Sequence, residues 1–148
     1  MMIVAVVFVA GMGWTWLTRG EDWTSTEGQI SSPQEGFLAP DFTLEDQHGN
    51  ALTLSAFRGE VVIVNLWASW CAPCRAEMPA LQRVYEDYQD QGVVILAVNA
   101  TNQDSEVEAK AFASEMGLTF PILLDRRGAV SRQYQLRAMP STYFLDQE

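Results

Sequence analysis

The chain has 148 residues, 48% apolar and 19% charged, which suits one domain built on a single core. Its net charge is −10, and the nine basic residues are scattered, with only Arg126 and Arg127 adjacent; no basic stripe is available for nucleic acid, so no such partner is expected. Two cysteines three positions apart and one distant histidine, His48, do not readily make up the four ligands of a structural zinc site, and no metal or other cofactor is expected.

Residues 1–17 form an almost wholly apolar run without charge. As a helix rising about 1.5 Å per residue it spans about 25 Å, just under a bilayer core. Trp14 and Trp16 lie at its far end, where interfacial aromatics belong. The run reads as a transmembrane anchor, with an uncleaved or cleaved signal peptide and a buried helix as rivals. It lacks a basic start, as expected if the true N-terminus lies upstream. Residues 18–38 are rich in Gly, Ser, Thr, Gln and Glu and show no period, which predicts a flexible tether. The domain is expected over 39–148.

Asp41-Phe42-Thr43-Leu44 and Ala51-Leu52-Thr53-Leu54 alternate polar and apolar around the turn cluster Asp46-Gln47-His48-Gly49-Asn50. This predicts a β-hairpin with His48 as a solvated loop residue. The apolar runs Val61–Trp67 and Val93–Val98 predict strands buried on both faces. Between them a helix follows the cysteines, with Met78, Leu81, Tyr85 and Tyr88 on one face and Pro79 as a kink. Ser105-x-x-Glu108 is a capping box opening a helix with Val107, Ala111, Phe112 and Met116 as its apolar face and Gly117 as its stop. A strand at Ile122–Leu124, a short helix at Ala129–Tyr134 and a strand at Ser141–Leu145 complete an α/β pattern, a sheet covered on both faces.

Cys71 falls where a strand ends and a helix begins. Free N–H groups and the positive end of the helix dipole then favour the thiolate, which is the nucleophile in disulfide exchange. Cys74, three residues on, lies in the first turn within reach of Cys71. Cys71 is expected to attack a substrate disulfide, and Cys74 to resolve the mixed disulfide. Pro73 tolerates the start of a helix. Met139-Pro140 precedes the last strand; a cis bond there would bring the Met139 backbone beside the sulfurs, while an ordinary turn proline is the alternative.

Trp67-Ala68-Ser69-Trp70-Cys71-Ala72-Pro73-Cys74-Arg75-Ala76-Glu77-Met78-Pro79 resembles the TlpA/ResA-like, membrane-anchored thioredoxins, a branch of the AhpC/TSA-related redoxins. Ala39–Leu44, Phe120–Asp125 and Met139–Asp146 carry the same resemblance, although Ala138 stands where the family often has Gly. It implies a thioredoxin fold outside the bacterial cytoplasmic membrane, with Cys71 as nucleophile, Cys74 as resolving thiol and Pro140 as cis proline. Trp70, Met139 and Pro140 would meet substrate, and Ala72 and Pro73 would tune the potential. Where cytoplasmic thioredoxins have a buried Asp, six residues before the first cysteine, this chain has Asn65; Glu77 is the carboxylate implied to serve the thiols. Folds of this kind continue past Asp146 with an edge strand and a helix, so a C-terminal truncation is expected.

The implied activity is reduction of disulfides in exported proteins, including the Cys-x-x-Cys-His sites of apocytochromes c, with electrons from a membrane-embedded thiol carrier. Two other classes compete. A peroxiredoxin requires Pro and Thr where Val64 and Ala68 stand. A non-catalytic anchored binding module would not need both cysteines.

Overall fold

The computed structural model describes residues 31–147. The expected anchor at 1–17 and most of the expected tether lie outside them. Residues 31–38 turn back on themselves through a bridge between Ser31 and Leu38. Among the described residues no helix is long and apolar enough to cross a membrane.

Two short strands, β1 (Thr43–Glu45) and β2 (Ala51–Thr53), pair antiparallel as the predicted hairpin. The loop between them is held by Asp46, whose side chain accepts from the backbone N–H groups of His48 and Asn50. His48 is exposed there, as expected. The main sheet has four strands in the order β5-β4-β3-β6. Strands β3 (Val61–Trp67), β4 (Val93–Asn99) and β5 (Ile122–Leu124) are parallel, and β6 (Ser141–Leu145) runs antiparallel to β3. The parallel steps need crossovers, supplied by α1 (Ala72–Tyr88) and α2 (Glu106–Glu115). A short α3 (Ala129–Gln133) precedes β6.

Alternation along β3 divides the core into two layers. Ile63 and Trp67 face a cluster containing Cys71, Cys74 and Met78 from the α1 side and Ala109, Phe112 and Ala113 from α2. Val62, Val64 and Leu66 face the other cluster, with Phe42, Leu54, Val130 and Tyr134. Helices α1 and α2 therefore cover one face, and the hairpin with α3 covers the other. Tyr134 ties the second layer together: its hydroxyl donates to Pro40 O at 2.8 Å, and burial pushes its phenol above the ordinary value.

Two helix faces differ from expectation. In α2, Val107 is 72% exposed and Ala111 is also exposed, while Ala109, Phe112 and Ala113 are buried. Phe112 is held against Trp67 in the core, and Ala109 and Ala113, which flank it on the same face, are buried with it. In α1, Tyr88 is exposed and Gln82 is buried instead. Gln82 is satisfied by Thr119, whose backbone N–H it accepts at 2.9 Å and whose hydroxyl it meets at 2.7 Å. Helix α1 runs on through Pro79.

Candidate active site

The two cysteines lie just beyond the carboxyl end of β3, where parallel sheets build their sites. The strand ends at Trp67, and Ala68, Ser69 and Trp70 lead into Cys71, the N-cap of α1. Cys71 has an extended backbone, and its sulfur accepts the Cys74 N–H at 3.3 Å. The sulfur thus takes the role that Ser or Asp plays at an ordinary N-cap. Ala72 and Pro73 occupy the exposed first turn, so Pro73 removes a donor that the helix would have left free.

Cys71 and Cys74 form a disulfide with Cα atoms 5.2 Å apart. Cys71 is 4% exposed and Cys74 is fully buried. The outer sulfur belongs to the residue at the helix start, the inner one to the core. Trp70 beside them is 59% exposed, and its indole N–H donates to Gln103 O at 2.9 Å. The Met139–Pro140 bond is cis, and Met139 packs against the cluster that contains both cysteines. Trp70 directly precedes the disulfide, and Met139, far away in sequence, packs on the cluster that contains it.

Around β3 lie two half-buried carboxylates, Glu77 and Asp104. Asn65 is fully buried and donates to Glu77 Oε1 at 2.7 Å and to Thr142 Oγ1 at 3.0 Å. Its own carbonyl oxygen has no partner among the described residues. Glu77 is half-buried on α1, one turn beyond Cys74. Thr142 is the β6 residue paired with Asn65 across the antiparallel register, two residues after Pro140.

On the other side lies Asp104, which the sequence reading passed over. Its carboxylate accepts from Ser69 N and Ser69 Oγ at 2.6 Å each, from Asn99 Nδ2 at 2.7 Å and from Ser105 N at 2.8 Å. Burial opposes its ionisation, but the bonds from Asn99, Ser69 and Ser105 together hold its carboxyl below the ordinary value. Asp104 and Gln103 thus fasten both Ser69 and Trp70, the two residues that lead into the disulfide. The available signal was an Asp just before a capping Ser, which is common at helix starts and too general to single out. Between these residues and α2 is an open cleft lined by Trp70, Arg75, Phe112 and Glu115 among others, with the Arg75 guanidinium 4.3 Å over the Phe112 ring. Among the described residues no cluster of His, Cys, Asp and Glu is arranged to hold a metal ion.

Residues 36–148 match the AhpC/TSA family. The chain is 36% identical over 147 residues to the thioredoxin-like protein YneN of Bacillus subtilis, covering 99% of this chain and 84% of that one. It is 38% identical over 143 residues to the thiol-disulfide oxidoreductase ResA of Geobacillus kaustophilus, covering 97% of this chain and 78% of that one. Among solved structures it resembles StoA of Bacillus subtilis, with a TM-score of 0.65, 28% identity and coverage of 73% of this chain and 81% of that one. It also resembles the thioredoxin domain of a thiol-disulfide oxidoreductase from Bacteroides vulgatus, with a TM-score of 0.69, 27% identity and coverage of 80% and 84%. The chain therefore belongs to the AhpC/TSA family, and within it is a ResA-like thiol–disulfide oxidoreductase whose redox disulfide joins Cys71 and Cys74.

Proposed function

We propose that this chain reduces disulfides in exported proteins, with Cys71 as the attacking and Cys74 as the resolving thiol. The observation that carries the reading is the Cys71–Cys74 disulfide at a helix start, its outer sulfur at the N-cap and its inner sulfur buried. In the reduced protein the Cys71 thiolate attacks one sulfur of a substrate disulfide, and the other leaves as a thiolate. Cys74 then loses its proton and attacks Cys71. The substrate departs with two thiols, and the enzyme is left with the disulfide seen here. Glu77 accepts the proton from Cys74, since Asn65 has no proton-accepting carboxylate and His48 lies in the distant hairpin loop. Trp70, Met139 and Pro140 form the surface that meets substrate, while Ala72 and Pro73 between the cysteines tune the potential.

Two electrons must re-enter after each cycle, and a membrane-embedded thiol carrier is the donor that a tethered domain could meet. The apolar run at 1–17 and the polar segment after it support a single-pass anchor at the bacterial cytoplasmic membrane, with the domain on the extracytoplasmic side. Apocytochromes c with Cys-x-x-Cys-His sites are the substrate class that the resemblance favours. A peroxidase reading lacks support, because Val64 and Ala68 stand where that chemistry needs Pro and Thr.

The test is a pair of variants on non-reducing gels. Cys74→Ser should hold substrates as mixed disulfides on Cys71, and Cys71→Ser should hold none and lose insulin-reducing activity. Equal trapping by both would overturn the assignment, and peroxide consumption without insulin reduction would overturn the activity. A reporter fusion active only after export checks the location.

A further inference from the structure

We infer that Asn65 is a positioning residue for this reaction, aiming the Glu77 carboxylate and joining α1 to the strand that follows Met139–Pro140. The inference rests on the reading of Glu77 as the proton acceptor for Cys74.

Asn65 occupies a place where an apolar residue would be expected. It points from the centre of β3 into the α1 layer, between Ile63 and Trp67, and is fully buried. A buried amide costs stability unless its donors and acceptor are paired. Here both donors are used, on Glu77 Oε1 and Thr142 Oγ1, while the carbonyl oxygen pairs with nothing among the described residues. The amide nitrogen is the atom that joins the neighbouring elements. The reverse orientation would aim that carbonyl at a carboxylate, so the charge on Glu77 fixes which way the amide points. Glu77 accepts its hydrogen bond from Asn65. Its side chain is half-buried on α1, and without Asn65 it can rotate toward solvent, away from the helix turn that carries Cys74. Through its second donor the same amide grips Thr142, its register partner on β6. One buried side chain therefore links the strand that leads to the cysteines, the helix that carries them and the strand that leaves Pro140.

The experiment is single-turnover resolution of a model mixed disulfide by the full chain, measured from pH 5 to 9. The variants are Asn65→Ala, Asn65→Asp, Glu77→Gln and the double variant Asn65→Ala/Glu77→Gln, with circular dichroism and thermal melting alongside. Asn65→Ala should slow resolution by about 3- to 10-fold, less than loss of the base itself. The double variant should be no slower than Glu77→Gln alone, because Asn65 acts through Glu77. Asn65→Asp keeps the shape and serves if the alanine variant does not fold. It sets two carboxylates at hydrogen-bond distance, which cannot both ionise readily, so the rising limb of the pH profile should move to higher pH. A wild-type rate for Asn65→Ala overturns the inference. So does an equal further slowing by Asn65→Ala in the Glu77→Gln background, which would mark Asn65 as structural only. An unshifted Asn65→Asp profile does the same. Wild-type resolution by Glu77→Gln would instead remove the proton-acceptor reading and this inference with it, and that arm reports on Glu77 without any change at Asn65.

Discussion

Two carboxylates stand on either side of the strand that delivers the cysteines, and they are treated oppositely. Asp104 receives four hydrogen bonds from three residues, and these nearly fill the lone-pair sites of a carboxylate. Glu77 receives one among the described residues, from Asn65. A saturated carboxylate is held ionised and fastens a loop; it has little capacity left for a proton. A carboxylate with one bond keeps its aim and still has lone pairs to offer. The difference separates a group that builds the site from one that can take part in its chemistry, although both are acidic residues near the same disulfide.

The sharpest way to break this comparison is to exchange oxygen for nitrogen at each position. Glu77→Gln is expected to slow resolution of the mixed disulfide by about 10- to 100-fold, the lower range for a lost general base, with a nearly unchanged melting temperature. Asp104→Asn should do the reverse. Its new amide nitrogen would face two of the four donors, either Ser69 N–H with Asn99 or the Ser69 hydroxyl with Ser105 N–H, costing about 1–3 kcal/mol and lowering the Tm by about 5–15 °C, while resolution stays within about 3-fold of wild type. If Asp104→Asn slows resolution as much as Glu77→Gln, the two carboxylates are not distinct. A smaller effect concerns acid. The Asp104 carboxyl lies below its ordinary value of 3.8 in the folded protein, so the unfolded chain takes up the proton first. The stability that Asp104 contributes is complete above about pH 5 and is lost as the pH falls below 3.8 and through the folded value. Melting curves from pH 6 to 3 should show a smaller loss in Asp104→Asn than in the wild type, since Asp46 and Glu106, whose carboxyls are also lowered, titrate in both. The smallest effect is expected at Glu106, whose carboxyl is lowered to about 2 mainly by hydrogen bonds from Arg126 and Lys110. The group lies at the surface, where solvent screens such pairs, so Glu106→Gln should move the Tm by less than about 2 °C.

Much of the fold was legible because its signals are local. Continuous apolar runs marked β3 and β4, a turn cluster marked the hairpin, and Ser105 marked the start of α2, where its hydroxyl accepts the Glu108 N–H at 3.4 Å. The Cys71–Cys74 pair was legible because its spacing fits one helical turn. Less legible were features set by packing. Val107 has the more apolar side chain, yet Ala109 faces the sheet. Gln82 reads as a solvent residue and is buried because Thr119, 37 positions away, supplies its partners. Asp104 was invisible for the same reason, since its role depends on Ser69, 35 positions earlier. The proximity of Glu77 to Asn65 was only half visible: sequence singled out both, but only the strand-to-helix packing shows them bonded.

The anchored indole of Trp70 bears on affinity as well as on shape. A large exposed side chain ordinarily loses rotamer freedom when a partner lands on it, and that loss subtracts from binding. Here the bond from Nε1 to Gln103 O immobilises the ring in advance, and Asp104 holds the residue before it. The entropy has already been surrendered on folding. On the proposed reading of Trp70 as a substrate contact, a polypeptide would meet a ring already ordered by this bond, and its contact would not be discounted by ordering it.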